Sequence, residues 1–252
     1  RLVERAAELS GGPPGALVPT RSTVPIGCGL GSSVSFAVAL VGALLRAQGE
    51  QPTAALLRER AHALETLVHG TPSGIDDAVI ANGGALYFRR GEAPVALTPG
   101  RPLELVFASV GRPAPTREAV AKVAAGRRAR PGAFAALEER AATWVNSGRR
   151  AFIEGDLRSL GASLDGCHEL LAELGVSTPA LDVLVATARQ SGALGAKLTG
   201  AGLGGFMLAL VEGPSAVATT LEALSAAGAV ESFACRITSA PQPDPRDGVS
   251  AS

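Results

Sequence analysis

The chain has 252 residues, 46% of them hydrophobic and 18% charged, enough to fold around a sizeable core as one large domain or two small ones. Its 23 basic and 23 acidic side chains cancel, which argues against a broad basic surface and so against nucleic acid as a partner. Three widely spaced cysteines, Cys28, Cys167 and Cys235, form no CxxC pair, so a disulfide framework or a thiolate zinc site is not expected and a reducing cytoplasm fits.

In chain order, LVERAAEL (2–9) has helical spacing and ends at Gly11-Gly12. A Pro-rich loop and a short extended stretch, Thr23 to Ile26, lead to a glycine turn. SSVSFAVALVGALLRA (32–47) reads as a helix that is apolar nearly all round and therefore buried. Its longest apolar run, Val34 to Leu45, is about 12 residues, too short to span a bilayer, so no membrane partner is expected. Pro52-Thr53 opens a second long helix that stops at Gly70. Residues 69–88 combine loop chemistry, a short helical piece, a double-glycine turn and a strand.

LELVFASV (103–110) alternates and carries β-branched residues, as a strand does. Helical stretches follow at 116–125, 132–154, 157–174 and 178–191. Residues 195–211 read as strand, glycine turn, strand, and a helix (214–227) and a strand (230–238) close the fold. The expected organisation is α+β, with an N-terminal domain over 1–100, a C-terminal domain over 101–240 and a disordered tail over 241–252. The chain opens on Arg1 and its single methionine is Met207, so residues are expected to be missing from its N-terminus.

Three stretches carry chemistry. In VPIGCGLGSS (24–33), Gly27, Gly29 and Gly31 let the backbone approach a ligand closely. The helix beginning near Ser32 aims unpaired N–H groups and a partial positive charge at that ligand, which favours phosphate. A serine hydroxyl at the helix start can also ligate Mg²⁺. The dinucleotide fingerprint fails because Ser32 stands where it needs glycine, and no P-loop lysine is present. A tight turn capped by serine, with no ligand, fits the same residues. The second stretch, KLTGAGLGG (197–205), packs Gly200, Gly202, Gly204 and Gly205 around Ala201 and Leu203, which suggests close approach to a ligand or to the other domain. The third, GTPSGIDD (70–77), offers carboxylates on a loop, and an aspartate can accept the proton of an attacking hydroxyl. Asp76 and Asp77 would equally serve as helix caps, and Glu65 as a surface charge. His62, His69 and His168 have no metal-ligand spacing and read as structural or surface residues.

Together the three stretches resemble the GHMP kinase superfamily. PIGCGLGSS is similar to its phosphate-binding motif and KLTGAGLGG to its C-terminal glycine motif. ETLVHGTPSGIDDAVIANGGALYF is similar to the middle region of the mevalonate kinase branch, where homoserine kinases, galactokinases and phosphomevalonate kinases differ. The resemblance runs from about residue 15 to 240. It implies an N-terminal domain like domain 2 of ribosomal protein S5 and a ferredoxin-like C-terminal domain. It also implies ATP and Mg²⁺ as cofactors and phosphorylation of mevalonate at its C5 hydroxyl. Gly27, Cys28, Gly29, Leu30, Gly31, Ser32 and Ser33 would cradle the ATP phosphates. Ser33 and Glu65 would hold Mg²⁺, and Asp76 would be the catalytic base. Ser73, Gly74, Thr116, Gly200, Ala201 and Gly202 would shape the substrate site. Members of the superfamily are often dimers, although no interface pattern stands in this sequence. The superfamily's first motif, with its lysine, has no counterpart before residue 24, and Leu203 replaces a usual glycine. Another small-molecule kinase of the superfamily, or a truncated module that binds nucleotide without turnover, are the alternatives.

Overall fold

The structure, a computed structural model, describes residues 2–10, 19–22, 24, 30–69, 72–111 and 115–238. The chain divides into two units, Arg1–Leu97 and Thr98–Ser252. The expected extended stretch at 23–26, apart from Val24, and the expected disordered tail lie outside the described residues.

The first unit holds α1 (Leu2–Ser10), α2 (Ser32–Ala47), α3 (Ala54–His69), α4 (Ile75–Asn82) and an antiparallel ribbon of β1 (Ala85–Tyr87) and β2 (Val95–Leu97). As its composition predicts, α2 is the central helix. Val34, Ala37, Leu40, Val41, Leu44 and Leu45 are buried along it, packed with Ala6 of α1 and Ala61 and Leu64 of α3. The last carbonyls of α1 have no partner within the helix, so neighbouring side chains satisfy them. Arg60 Nη1 donates to Leu9 O, and Gln48 Nε2 donates to Ser10 O. The sequence holds no expectation of β2, a three-residue strand exposed at Val95 and Ala96.

The second unit is built on a four-stranded antiparallel sheet of β3 (Leu103–Ser109), β4 (Gly195–Leu198), β5 (Phe206–Val211) and β6 (Glu231–Ile237), in the spatial order β4-β5-β3-β6. Four helices lie between β3 and β4: α5 (Thr116–Ala129), α6 (Pro131–Glu154), α7 (Leu157–Glu173) and α8 (Pro179–Gln190). One more, α9 (Pro214–Ala226), lies between β5 and β6. Counting strands from β3, the order is 2-3-1-4, which is the ferredoxin-like arrangement the sequence resemblance implies. Side chains of β3 divide between two clusters, as alternation requires. Val106 and Ala108 pack with Leu181, Leu184 and Val185 of α8 and Leu224 of α9. Leu103 and Leu105 pack instead with Phe152 of α6 and Leu157 and Leu160 of α7.

Polar side chains fix β4 at the mouth of the second glycine turn. Asp165 of α7 accepts from Ala196 N at 2.8 Å and from Arg189 Nε of α8 at 2.7 Å. His168, also on α7, is buried and accepts from Leu198 N through Nδ1 at 3.3 Å. Burial pushes the His168 imidazole below its ordinary pKa, which suits the neutral acceptor this bond needs. Lys197 Nζ turns back to Leu198 O at 2.6 Å, and burial lowers its pKa too. Among the described residues no helix is long and apolar enough to cross a membrane.

Candidate active site

Three helices of the first unit meet around Gly31 and Ser33. Gly31 takes the left-handed conformation at φ 72° and is the N-cap of α2. The first helical bond runs from Ser35 N to Gly31 O at 2.9 Å, and among the described residues no side chain caps the helix. The first-turn amides therefore have no acceptor within the helix, and they carry its partial positive charge. The expected serine cap is absent, and an uncapped, glycine-led helix start is what an anion site requires. A Cβ on Gly31 would lie 3.2 Å from Ile80 Cδ1, so the turn packs directly on α4.

Ser33, on the first turn of α2, donates through Oγ to Glu65 Oε1 of α3 at 2.6 Å. Glu65 is only 4% exposed, so the alternative of a surface charge is excluded. A buried carboxylate and a hydroxyl at hydrogen-bond distance are hard oxygen donors of the kind Mg²⁺ takes. Among the described residues no group of three or more His, Cys, Asp and Glu side chains gathers as a metal cluster.

Gly74, left-handed at φ 79°, starts α4 without a side-chain cap. Ser73 Oγ accepts from Ile75 N at 3.3 Å and stands exposed at this turn. Asp76 and Asp77 lie in the first turn of α4, inside the helix rather than at its cap. Burial first, and then the Asp77 carboxylate, hold the Asp76 carboxyl above its ordinary pKa. Raised carboxyls beside a cleft mark candidate acids and bases. Asp77 differs from its expected role: its side chain is 1% exposed and its Oδ2 accepts from His62 Nδ1 of α3. His62 and Glu65 are three residues apart on α3, so they share a face. That i,i+3 spacing is the signal the sequence reading passed over.

In the second unit, Thr116 is exposed at the start of α5. The turn Gly200–Gly205 joins β4 to β5. Its close approach is to main chain of its own unit: a Cβ on Gly202 would lie 2.2 Å from Val176 O. Leu203 N donates to the same carbonyl at 2.7 Å, and Gly205 N donates to Gly111 O at 3.1 Å. Gly200, Gly202, Gly204 and Gly205 all have positive φ, and so does Leu203 at 58°. For a leucine that conformation costs about 1–2 kcal/mol. Ala201 is half-buried between its glycine neighbours. Of the phosphate-loop residues, Leu30, Gly31, Ser32 and Ser33 are described, while Gly27, Cys28 and Gly29 lie outside the described residues.

The family model for the GHMP kinases N terminal domain matches residues 1–84, and the model for GHMP kinases C terminal matches 149–230. A mevalonate kinase of Thermococcus sibiricus is 38% identical over 214 residues, covering 82% of this chain and 64% of that protein. A mevalonate kinase of Pyrococcus horikoshii is 38% identical over 216 residues, covering 84% of this chain and 64% of that protein. The chain thus spans just under two thirds of the length of these relatives. The crystal structure of L. major mevalonate kinase in complex with R-mevalonate superposes with a TM-score of 0.77 at 30% identity, covering 88% of this chain and 68% of that one. The Methanococcus jannaschii mevalonate kinase, at 22% identity and a TM-score of 0.75, shares the fold. With both domain models matched in order and relatives well above 30% identity, the chain belongs to the GHMP kinase family.

Proposed function

We propose that this chain acts in the ATP-dependent phosphorylation of mevalonate, giving 5-phosphomevalonate and ADP. The observation that carries the reading is the uncapped start of α2, with Ser33 bound to the buried Glu65, packed against the helix that bears Asp76. Its relatives named mevalonate kinase, at 38% identity, support mevalonate as the acceptor.

In this reading the first-turn amides of α2 hold phosphate oxygens of ATP, together with the main chain of residues 27–31. Ser33 and Glu65 supply oxygen ligands to Mg²⁺. Once bound, the ion would draw charge from the phosphates as the β–γ bond lengthens. Ser73 and Gly74, at the turn before α4, shape the space for the alcohol. Asp76 takes the proton of the C5 hydroxyl as its oxygen bonds to the γ-phosphorus, and ADP leaves with the bridging oxygen. Positioning and charge stabilisation supply most of the acceleration, as is usual for phosphoryl transfer. Cytoplasmic residence and a homodimer belong to the same reading, and sedimentation equilibrium checks the second.

ADP release, coupled to NADH oxidation, tests the acceptor across mevalonate, phosphomevalonate, homoserine and galactose. Mevalonate should exceed every other alcohol by at least about tenfold in kcat/KM. A different preferred alcohol would move the chain to another branch of the family. ATP bound in calorimetry with no product from any alcohol would leave a nucleotide-binding module. Glu65→Gln keeps a partner for Ser33 but removes the charge. It should raise the Mg²⁺ concentration for half-maximal rate by about 10–100-fold at saturating ATP. An unchanged Mg²⁺ dependence excludes Glu65 as a ligand.

A further inference from the structure

The pair His62–Asp77 has no part in the phosphoryl transfer just described, yet it is built into the site. Asp77 is almost fully enclosed, while His62 is 46% exposed. An enclosed carboxylate needs a partner, because an unpaired buried charge costs several kcal/mol. That partner comes from another helix, 15 residues earlier in the chain. A Cβ on Gly74 would lie 3.9 Å from both Asp77 Oδ2 and His62 Cε1, so the turn that starts α4 rests on the pair. The two side chains therefore tie together α3, the first turn of α4 and the Ser73–Gly74 turn before it.

We propose that His62 is a positioning residue for Asp76: by holding the buried Asp77 it fixes the turn that carries the base. This rests on the reading of Asp76 as the base. Asp76 and Asp77 are consecutive in one helical turn, two carboxylates in a partly buried site. Burial and the Asp77 carboxylate together hold the Asp76 carboxyl above its ordinary pKa. The ionisable residues of α3 are Arg58, Glu59, Arg60, His62, Glu65 and His69; of these His62 bonds Asp77, Glu65 bonds Ser33 and Arg60 bonds the Leu9 carbonyl. On α2 no charged side chain precedes Arg46, and β1 offers only the Tyr87 phenol. His62 is thus the side chain whose hydrogen bond holds Asp77 in place.

The test compares His62→Ala, His62→Asn, Asp77→Asn and the double variant His62→Ala/Asp77→Asn in the full chain. Asparagine at 62 retains an N–H donor close to where Nδ1 sits. His62→Ala should lower kcat for mevalonate about tenfold or more with little change in KM for ATP, and His62→Asn should recover most of the loss. A second readout needs no turnover. The thermal midpoints of the four variants should not add: removing Asp77 as well should recover part of the loss in His62→Ala, because no unpaired carboxylate is then buried. If His62→Ala fails to fold, the double variant, which buries no unpaired charge, carries the kcat measurement. Parental kcat in His62→Ala, or in the double variant standing in for it, overturns the proposal. So do losses of thermal stability that simply add in the double variant. If the parent phosphorylates no alcohol, the functional reading falls, and the thermal midpoints alone decide the pairing.

Discussion

Asp76→Asn should remove nearly all turnover while ATP still binds with parental affinity. The substitution is nearly isosteric and keeps hydrogen-bonding capacity, but asparagine cannot accept a proton at neutral pH. Positioned general bases contribute about 10²–10⁴-fold, and a loss of that size in kcat is expected. The fold should tolerate the change. Asp76 is not the cap of α4, a role held by the left-handed Gly74, and it lacks the enclosed partner that Asp77 has. ATP affinity should survive because the start of α2, proposed above to hold the phosphates, receives no Asp76 contact to its amides among the described hydrogen bonds. The pH profile gives a second arm. A base works only when deprotonated, and burial and Asp77 hold this carboxyl above its ordinary value. Activity should therefore fall, as pH is lowered, at a higher pH than an unperturbed aspartate would give. Turnover retained in Asp76→Asn, measured as ADP release with mevalonate, would exclude the base.

Much of the scaffold around that carboxylate is legible in the residues. The apolar run at 32–47 is the central helix to the residue, because a helix apolar on all sides has only a buried place to go. Other features depend on contacts that no local pattern encodes. The helix expected to end at 125 runs on as α5 to Ala129, through Gly126. A Cβ there would lie 2.8 Å from Phe134 Cζ, so this glycine makes room for a ring of the next helix rather than ending its own. The strand at Val95–Leu97 is too short to show alternation and pairs only with β1. At the site, the bond between Ser33 and Glu65 joins residues 32 apart. Periodicity cannot bring such residues together, and only the resemblance to a family paired them. The role of Asp77 was hidden for a related reason. An acidic residue near a helix start reads as a cap, and only the geometry reveals that glycine begins this helix while Asp77 turns inward to His62. The second glycine turn was legible as a place of close approach, and what the structure brings to Gly202 is the Val176 carbonyl.

Gly161→Ala should be among the most destabilising single-methyl changes in the second unit, and the reason is main chain against main chain. Gly161 lies in α7, which packs across the start of β4. A Cβ at 161 would sit 2.1 Å from Leu194 O, and one at Gly195 would sit 2.0 Å from Gly161 O. Side-chain clashes are relieved by changing rotamer, but a carbonyl fixed in a sheet has no such escape. Leu194 is held there because its N–H donates to Leu210 O at 2.8 Å. The helix must therefore move away from the strand. Such a shift also strains the bond from Ala196 N to Asp165 on the same helix. Overpacking typically costs 1–3 kcal/mol and occasionally more, and a backbone obstacle places this change at about 3 kcal/mol or above. For a unit of this size that corresponds to a fall of roughly 6–12 °C in Tm. Gly132→Ala is the control: it is helical, lies in α6, and its added Cβ meets nothing within 4 Å. It should leave stability unchanged or raise it by up to about 1 kcal/mol. Because β4 runs directly into the Gly200–Gly205 turn, a displaced α7 should also shift that turn. Equal thermal midpoints for Gly161→Ala and Gly132→Ala would mean that α7 does not seat on β4 through its backbone.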